Sequence, residues 1–218
     1  MKYKNKPLQI SCDGGAATGK STGARMIAKK YKLKFLSSGL LYRYASFIIL
    51  KFRPKNKLLF LKKNFEKLNY KKLEKINLHK PVISQYSSII AKNNKIRKIL
   101  KKYQIAFSKE NIKCCIEGRD ISTKILPQSD IKFFFICNLD TASLRRYREL
   151  KKTNSNIKLK DVKKALRIRN ILDTKRKNSP LLRHRDSVSI DTGKLNKQAV
   201  LKKMSKYVEK VIRLKHGN

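Results

Sequence analysis

Acidic residues are scarce in this chain. It has 218 residues, of which 14 are Asp or Glu and 56 are Lys or Arg, so its formal net charge is +42. A chain of this length suits one domain with a substantial core. The charge produces a positive potential that attracts phosphates, nucleic acids and anionic membranes, but it does not by itself identify a partner.

Continuous polybasic blocks are missing, although lysine is abundant. The lysines alternate with Leu, Ile and Asn in runs such as LKKNFEKLNYKKLEKINLHK (61–80), whereas charged tails that bind partners are unbroken blocks. An RRM-like aromatic signature and a zinc-finger pattern are also missing. We therefore interpret most of the charge as solvated surface and do not expect nucleic acid as a partner.

Metal-ligand spacings, CxxC pairs and long apolar runs are absent as well. The four cysteines, Cys12, Cys114, Cys115 and Cys137, lie in or beside short apolar segments, which predicts buried thiols in a reducing compartment. No window approaches the ~18 apolar residues of a membrane span, and the basic N-terminal segment reaches glycines before a signal-peptide core could form. We expect a cytoplasmic protein without membrane association.

The apolar segments that do occur alternate between two patterns. The runs PLQISC, LKFLSSG, NIKCCIEG, DIKFFFIC and SVSIDT predict five short strands, and amphipathic segments between them predict helices. Strands that alternate with helices indicate an α/β fold with a mainly parallel sheet covered by helices. No internal repeat is visible.

Helix boundaries can be predicted for several of these segments. LLYRYASFIILKF should end before Pro54, because the residue before a proline resists helical geometry. The stripe of apolar residues over 82–107 predicts one long amphipathic helix. Asp140 or Thr141 is the expected N-cap of the helix in LDTASLRRYRELKK. Segment 53–80 is a lysine-rich insertion whose structure the pattern leaves open.

Glycine is also rare, with eight residues in the chain, yet three of them lie in the segment CDGGAATGKST (12–22). Gly14, Gly19, Lys20 and Ser21 match the pattern GxxxxGK[ST], after a predicted strand and at the start of a predicted helix. Backbone N–H groups of such a loop converge on a phosphate at the positive end of the helix. Lys20 would reach the β- and γ-phosphates, and the Ser21 hydroxyl suits Mg²⁺.

The loop therefore predicts a P-loop NTPase-like three-layer fold that binds a nucleotide with Mg²⁺, and it leaves the reaction open, because motors, GTPases and small-molecule kinases all use such a loop. A glycine turn with an incidental lysine is the alternative. The predicted nucleotide-binding residues are Gly14, Gly15, Ala16, Ala17, Thr18, Gly19, Lys20, Ser21 and Thr22.

Four further segments, together with this loop, resemble the bacterial cytidylate kinases over nearly the whole chain. SSGLLYR resembles the family pattern DSGxxYR, with Ser37 in place of the aspartate. EGRDISTKILPQSDIKFF resembles DGRDxGTxxxPxAxxKxF, with Glu117 replacing Asp and Ser122 replacing Gly. RNILDTKR matches RxxxDxxR, and Ser88 and Arg97 match residues that read the base in the family. The family's extended hairpin segment is replaced here by the insertion.

The resemblance implies transfer of a phosphoryl group from ATP to CMP or dCMP by a monomeric enzyme. It implies one kinase domain over 1–218, with an NMP-binding region at about 38–107 and a lid at about 150–162. The implied catalytic residues are Lys20, Arg119 and Arg146, and Arg145 is the alternative to Arg146 as the lid arginine. The implied substrate-binding residues are Ser38, Arg43, Ser88, Arg97, Arg119, Asp120, Arg169, Asp173 and Arg176. The implied Mg²⁺ ligands are Ser21, Asp13 and Glu117, the carboxylates acting through bound waters.

These residue types suit the implied chemistry. An acceptor phosphate is already ionised at neutral pH, so the reaction needs positioning and charge neutralisation rather than a general base. The planar guanidinium groups of Arg43, Arg119 and Arg176 can each bond two phosphate oxygens. A carboxylate at Asp120 can accept a hydrogen bond from the cytosine amino group, as carboxylates do on DNA edges.

Simpler interpretations remain open for individual residues. The arginines could be solvated, Arg169 and Asp173 could form a surface salt bridge, and Asp13 or Glu117 could cap a turn. For the whole chain, one alternative is a related kinase acting on UMP, AMP or a non-nucleotide acceptor. The other is a basic nucleic-acid-binding protein, whose affinity would fall steeply with salt.

Overall fold

The computed structural model describes residues 6–152 and 155–216. In this part of the chain the strands are β1 (Leu8–Gly14), β2 (Lys34–Ser37), β3 (Lys113–Gly118), β4 (Ile131–Ile136) and β5 (Val188–Asp191). The helices are α1 (Lys20–Lys30), α2 (Ser38–Phe52), α3 (Lys57–Glu66), α4 (Pro81–Ile90), α5 (Asn94–Glu110), α6 (Leu139–Lys151), α7 (Leu159–Lys175) and α8 (Lys197–His216). A 3-10 helix covers Tyr70–Lys75, and a π-helical turn covers Ile121–Ile125.

The strands form one sheet in the order β2-β3-β1-β4-β5. The pairs β1 with β3, β1 with β4 and β4 with β5 are parallel, which confirms the predicted fold class. The carboxyl ends of parallel strands meet at one edge, where α/β proteins bind ligands. At this edge Asp13 of β1 lies opposite Gly118 of β3.

Alternate residues of β1 face opposite sides of the sheet. Ile10 and Cys12 join a buried apolar cluster with residues of α1, β4 and α8, including Phe135. Ser11, which alternates with them, bonds the hydroxyl of Ser129 at 2.8 Å instead. Polar side chains of β1, including Asp13, are therefore separated from the apolar core cluster.

Three of the four thiols are buried, as the sequence predicts: Cys12, Cys114 and Cys115. Cys137 is only partly buried. Burial raises the pKa of the Cys114 thiol to about 12, so this group stays protonated at neutral pH.

The structure divides into two compact units. One is the continuous segment Leu36–Ile112, and the other combines the described residues before and after that segment. Within Leu36–Ile112, α2 packs against α4 and α3 packs against α5. The ring of Phe65 on α3 contacts Tyr44 and Tyr103, each with a centroid distance of 5.9 Å. The insertion over 53–80 thus contributes α3 and the 3-10 helix to this unit.

Two details of the predicted helices are wrong, for a shared physical reason. The single helix expected over 82–107 is two helices, because the Asn93 side chain accepts hydrogen bonds from the N–H groups of Lys95 and Ile96 and starts α5. The N-cap of α6 is Asn138, whose side chain accepts from the N–H of Thr141 at 2.8 Å. Asparagine competes for local backbone groups in this way and favours helix starts.

Other boundaries agree with the sequence. Helix α2 ends at Phe52, ahead of Pro54 as predicted. Residues 153 and 154 of the predicted lid lie outside the described residues. No helix among the described residues combines the length and apolar character needed to cross a membrane.

Replacing Gly23 of α1 with alanine should destabilise the protein. An added Cβ would lie 2.7 Å from two ring carbons of Phe135, whose side chain is buried in the core cluster. Overpacking of this kind costs about 1–3 kcal/mol, and with two contacts at 2.7 Å we expect a cost in the upper part of that range, above the gain of about 1 kcal/mol from alanine's helix propensity. Urea denaturation measures the change in free energy of unfolding.

Gly39 of α2 provides the matched control, because its added Cβ meets no atom closer than 3.7 Å. Gly39→Ala should leave stability unchanged or raise it. Equal effects of the two substitutions would contradict the packing argument.

Candidate active site

The loop between β1 and α1 requires glycine at two positions. A Cβ at Gly14 would lie 2.5 Å from the carbonyl oxygen of Phe135, and Gly19 adopts a left-handed φ of +78°. Helix α1 begins immediately afterwards at Lys20, and its first turn contains no acidic residue. The unpaired N–H groups of a helix start attract anions. The loop therefore has the geometry of a phosphate-binding site.

Three side chains hold this loop in place, of which the sequence points only to Arg145, and to that residue as a lid arginine rather than as a support of the loop. Asn170 of α7 accepts a hydrogen bond from the N–H of Ala16 at 3.3 Å. The hydroxyl of Thr192 donates to the carbonyl of Thr18 at 2.8 Å. Arg145 in turn donates to the hydroxyl and carbonyl oxygens of Thr192, at 2.9 and 2.7 Å. The sequence contains one hint of the role of Asn170, namely that it lies inside the RxxxDxxR motif.

Lys20 is buried at the loop beside a carboxylate. Its ammonium lies 3.5 Å from Oε2 of Glu117 at the end of β3 and donates to the carbonyl of Gly15 at 3.5 Å. The side chains of Lys20 and Glu117 are 8% and 3% exposed. A buried charge needs such pairing, so the pair fixes the ammonium next to the loop.

The residues available for a metal ion are few. Among the described residues, no group of three or more His, Cys, Asp or Glu side chains could hold one. Mg²⁺ commonly keeps several waters and binds through one or two carboxylates plus substrate phosphates. The hydroxyl of Ser21 in the first turn of α1 and the buried carboxylate of Glu117 are hard oxygen donors of that kind. They fit Mg²⁺ delivered with a nucleotide.

Asp13, the third predicted metal ligand, is engaged in hydrogen bonds to the protein. Its Oδ1 accepts from the N–H of Ile121 at 2.8 Å. Its Oδ2 accepts from the N–H and the hydroxyl of Ser122, at 2.7 and 2.6 Å. Burial raises the pKa of Asp13 to about 6, although the hydrogen bonds from Ser122 and Ile121 oppose the shift. The geometry matches the turn-binding alternative, and metal binding by Asp13 stays a prediction.

Four predicted substrate-binding residues form one buried cluster, which we call the arginine–carboxylate cluster: Arg119, Asp120, Asp173 and Arg176. Nε of Arg119 donates to Oδ2 of Asp173 at 2.7 Å. Arg176 lies 3.6 Å from Asp173 and 3.8 Å from Asp120. The side chains of Arg119 and Arg176 are only 14% and 7% exposed, so neither is a solvated surface arginine.

The charges of this cluster control the ionisation of Asp173. Burial alone would raise its pKa, but the positive charges of Arg119, Arg169 and Arg176 and the hydrogen bond from Arg119 outweigh burial and lower it. Asp173 therefore stays ionised at neutral pH. Arg169 takes part through its charge, so its relation to Asp173 is not that of an exposed surface pair.

The two arginines near the predicted lid have different surroundings. Arg146 pairs with Glu149 one helical turn away at 3.0 Å, and the Glu149 side chain is 63% exposed. Arg145 is the one tied to Thr192 and so to the loop. The catalytic role of Arg146 stays a prediction.

Within the unit Leu36–Ile112, the predicted base-reading residues lie on α4 and α5. Arg97 is 8% exposed, and its guanidinium lies 5.6 Å from the centre of the Tyr42 ring. It also donates to the carbonyl of Ala91 at 3.2 Å. Ser88 donates to the carbonyl of Ser84 at 3.4 Å. Arg97 is thus held by an aromatic face and a backbone carbonyl.

The SSGLLYR segment forms the first turns of α2 in the same unit. Ser37, which replaces the family's aspartate, caps α2 by accepting from the N–H of Leu40 at 3.3 Å. Gln104, which the sequence analysis did not single out, donates to the hydroxyl of Ser38 at 2.5 Å. Arg43 lies further along α2. The motif therefore keeps its helix start despite the replacement.

Comparisons of sequence agree on one family. The family model described as "Cytidylate kinase" matches residues 10–210. The cytidylate kinase of Bartonella tribocorum is 33% identical over 214 residues, covering 96% of this chain and 98% of that protein. The cytidylate kinase of Mesomycoplasma hyopneumoniae is 30% identical over 218 residues, with 93% and 94% coverage.

Solved structures show similarity of fold. An uncharacterized protein from Eubacterium ventriosum aligns with a TM-score of 0.55 and 17% identity, covering 94% of this chain and 99% of that chain. Shikimate kinase from Bacteroides thetaiotaomicron aligns with a TM-score of 0.52 and 9% identity, with 93% and 98% coverage. At such identities the likeness concerns the fold alone.

Proposed function

The chain belongs to the cytidylate kinase family, and on that premise we propose that it transfers the γ-phosphoryl group of ATP to CMP or dCMP. The products are ADP and CDP or dCDP. The observation that carries the proposal is the arginine–carboxylate cluster, which begins directly after β3, the strand that runs beside the loop-bearing β1. A loop alone would support any nucleotide-binding protein, whereas buried arginines after the neighbouring strand supply a second phosphate site.

The donor half of the proposed site consists of the loop and the start of α1. Backbone N–H groups of the loop bind the phosphates of ATP, and the ammonium of Lys20 neutralises charge on the β- and γ-phosphates. Mg²⁺ bound with ATP would be held by Ser21 and, through waters, by Glu117, and it would neutralise further phosphate charge. Because the ion pair with Glu117 already holds the Lys20 side chain beside the loop, the side chain needs little rearrangement to contact the phosphates of ATP.

The acceptor half uses the cluster. A guanidinium carries five N–H donors, so pairing with Asp173 does not exhaust Arg119. Arg119 and Arg176 bind the phosphate of CMP, together with Arg43, and reduce the repulsion between the two phosphates that must meet in line. No general base is needed, because the attacking oxygen is already ionised.

Recognition of the nucleoside is assigned to the remaining residues. Asp120 accepts a hydrogen bond from the cytosine amino group, with Ser88 and Arg97 as donors to the ring. Arg169 and Asp173 contact the sugar, and Ser38 lines the acceptor site through its hydroxyl. We assign the lid to about 150–162, with Arg146 neutralising transferred charge.

The proposed setting is pyrimidine nucleotide metabolism in the cytoplasm, with the protein acting as a monomer. The +42 charge raises the local concentration of anionic nucleotides without a dedicated nucleic-acid partner.

The substrate profile tests this proposal. Purified protein should release ADP from Mg·ATP in the presence of CMP or dCMP, and much more slowly with UMP or AMP, because the uracil and adenine edges do not match the proposed donors and acceptor. A coupled ADP-release assay over the four acceptors measures it. Turnover with none of them would overturn the enzyme assignment, and a preference for UMP or AMP would favour a related kinase.

A further inference from the structure

The carboxylate of Asp13 joins two parts of the chain that the proposed function uses separately. Asp13 directly precedes Gly14, where the phosphate loop starts. Its three hydrogen bonds all come from the residues that directly follow Asp120, namely Ile121 and Ser122. The side chain is fully buried. One carboxylate therefore links the start of the donor loop to the Arg119–Asp120 segment of the acceptor cluster.

The same bonds take the place of a capping bond from Asp120. Ile121–Ile125 forms a π-helical turn, whose first N–H groups need acceptors. Asp120 occupies the N-cap position but makes no side-chain capping bond. Asp13 supplies the acceptors from the neighbouring strand, so the Asp120 carboxylate can lie 3.8 Å from Arg176 instead.

Ser122 makes this link stronger than the family pattern alone would. The chain carries serine where the pattern has glycine, and the Ser122 hydroxyl adds a 2.6 Å hydrogen bond to Asp13. Ser122 is itself 1% exposed. Hydrogen bonds to a charged acceptor in a buried site are among the stronger ones in proteins.

We propose that Asp13 is a positioning residue that, with Ser122, fixes Arg119 and Asp120 for the acceptor nucleotide rather than serving as a Mg²⁺ ligand. The proposal rests on the proposed function, because it assigns the acceptor to this cluster. Both carboxylate oxygens already accept hydrogen bonds at 2.6–2.8 Å. A displacement of the segment on the order of 1 Å would misalign the acceptor phosphate, which costs about 100-fold in rate.

The test changes one hydrogen-bonding group at a time, first the Asp13 acceptor and then the Ser122 hydroxyl donor. In Asp13→Asn an amide NH₂ must face the Ile121 or Ser122 N–H, so kcat/KM for CMP should fall about 100-fold. In Ser122→Ala only the hydroxyl bond is lost, and a fall of about 10-fold is expected. In the double variant the two effects should not multiply, because both act on one hydrogen-bonded unit.

Binding measurements distinguish positioning from metal binding. Calorimetry of Asp13→Asn should show CMP affinity reduced about tenfold or more, with the affinity for Mg·ADP within about threefold of wild type. Loss of Mg·ADP affinity with unchanged CMP affinity would overturn the positioning role and support the metal role. If Asp13→Asn does not fold, Ser122→Ala carries the same comparison.

Ser11→Ala is the matched control. Ser11 is as buried as Asp13 and lies on the same face of β1, two residues earlier. Its hydroxyl bonds that of Ser129 rather than Ser122, so the Ser11→Ala variant loses a hydrogen bond outside the Asp13–Ser122 link. It should reduce stability and leave CMP affinity unchanged; an equal loss of CMP affinity would mean that Asp13 acts only through general stability. Wild-type turnover of CMP in the same assay tests the proposed function separately.

Discussion

Replacing Lys20 with alanine should reduce kcat/KM for CMP phosphorylation by about 10³-fold or more. The ammonium lies at the loop in a buried site, where its charge is weakly screened. Removing one preorganised group that stabilises transferred charge typically costs about 10²–10³-fold, and Lys20 also contributes to ATP binding. A coupled assay at saturating and subsaturating ATP measures both effects.

Lys20→Ala should also reduce stability, and a second variant separates this loss of stability from the loss of activity. Without Lys20, the buried carboxylate of Glu117 loses its ion-pair partner at 3.5 Å, and uncompensated buried charges destabilise proteins. Lys20→Ala combined with Glu117→Gln should recover thermal stability without recovering activity. Recovery of activity in this double variant would show that the lysine is only a counter-charge. The exposed Lys29, also on α1, provides the control: Lys29→Ala should behave as wild type.

Replacing Asp173 with alanine should lower the free energy of unfolding by about 3–5 kcal/mol at neutral pH, as removal of one partner from a buried ion pair commonly does. Asp173 lies between Arg119 and Arg176, at 2.7 and 3.6 Å. Its loss takes one carboxylate partner from each of two largely buried guanidinium groups, those of Arg119 and Arg176. Urea denaturation of wild type and variant measures the difference.

The difference in free energy of unfolding between wild type and Asp173→Ala should depend on pH in a defined direction. The arginines lower the pKa of Asp173 below its ordinary value although burial opposes this, so the folded state favours the ionised carboxylate. The stabilisation is fully present above the ordinary carboxyl range of about pH 4 and is lost as the pH falls through the lowered pKa. The gap between wild type and Asp173→Ala should therefore be constant near neutrality and narrow in acid.

Asp186 supplies a control for this experiment. It also has basic side chains nearby, the imidazole of His184 at 3.5 Å and the guanidinium of Arg185 at 3.6 Å, but its own side chain is 61% exposed. Exposed pairs contribute about 0–1 kcal/mol, so Asp186→Ala should change stability little at any pH. A pH-independent gap for Asp173→Ala would show that its effect comes from packing rather than charge.

Local features could be predicted well because they depend on neighbouring residues. The alternation of apolar runs is enough to identify the strands, and Pro54 marks the end of α2. The same reasoning failed over 82–107 and at the start of α6. In both places asparagine side chains, at Asn93 and Asn138, take backbone N–H groups that an apolar pattern does not reveal.

Residues that support the site from a distance could not be predicted in this way. Asn170 and Thr192 hold the loop from α7 and from the end of β5, more than 150 residues along the chain. Neither belongs to a local pattern that signals loop binding. Their role depends on which segments the sheet order brings to the same edge.

The sequence by itself determined the phosphate loop, the α/β class and the identity of the charged residues that match the family, because spacing and periodicity are local properties. Only the tertiary structure decided how those charges are used. It paired Lys20 with Glu117, placed Asp173 between two arginines, and directed Asp13 to Ile121 and Ser122. A carboxylate's role depends on which donors surround it once water is excluded, and the fold alone supplies those donors.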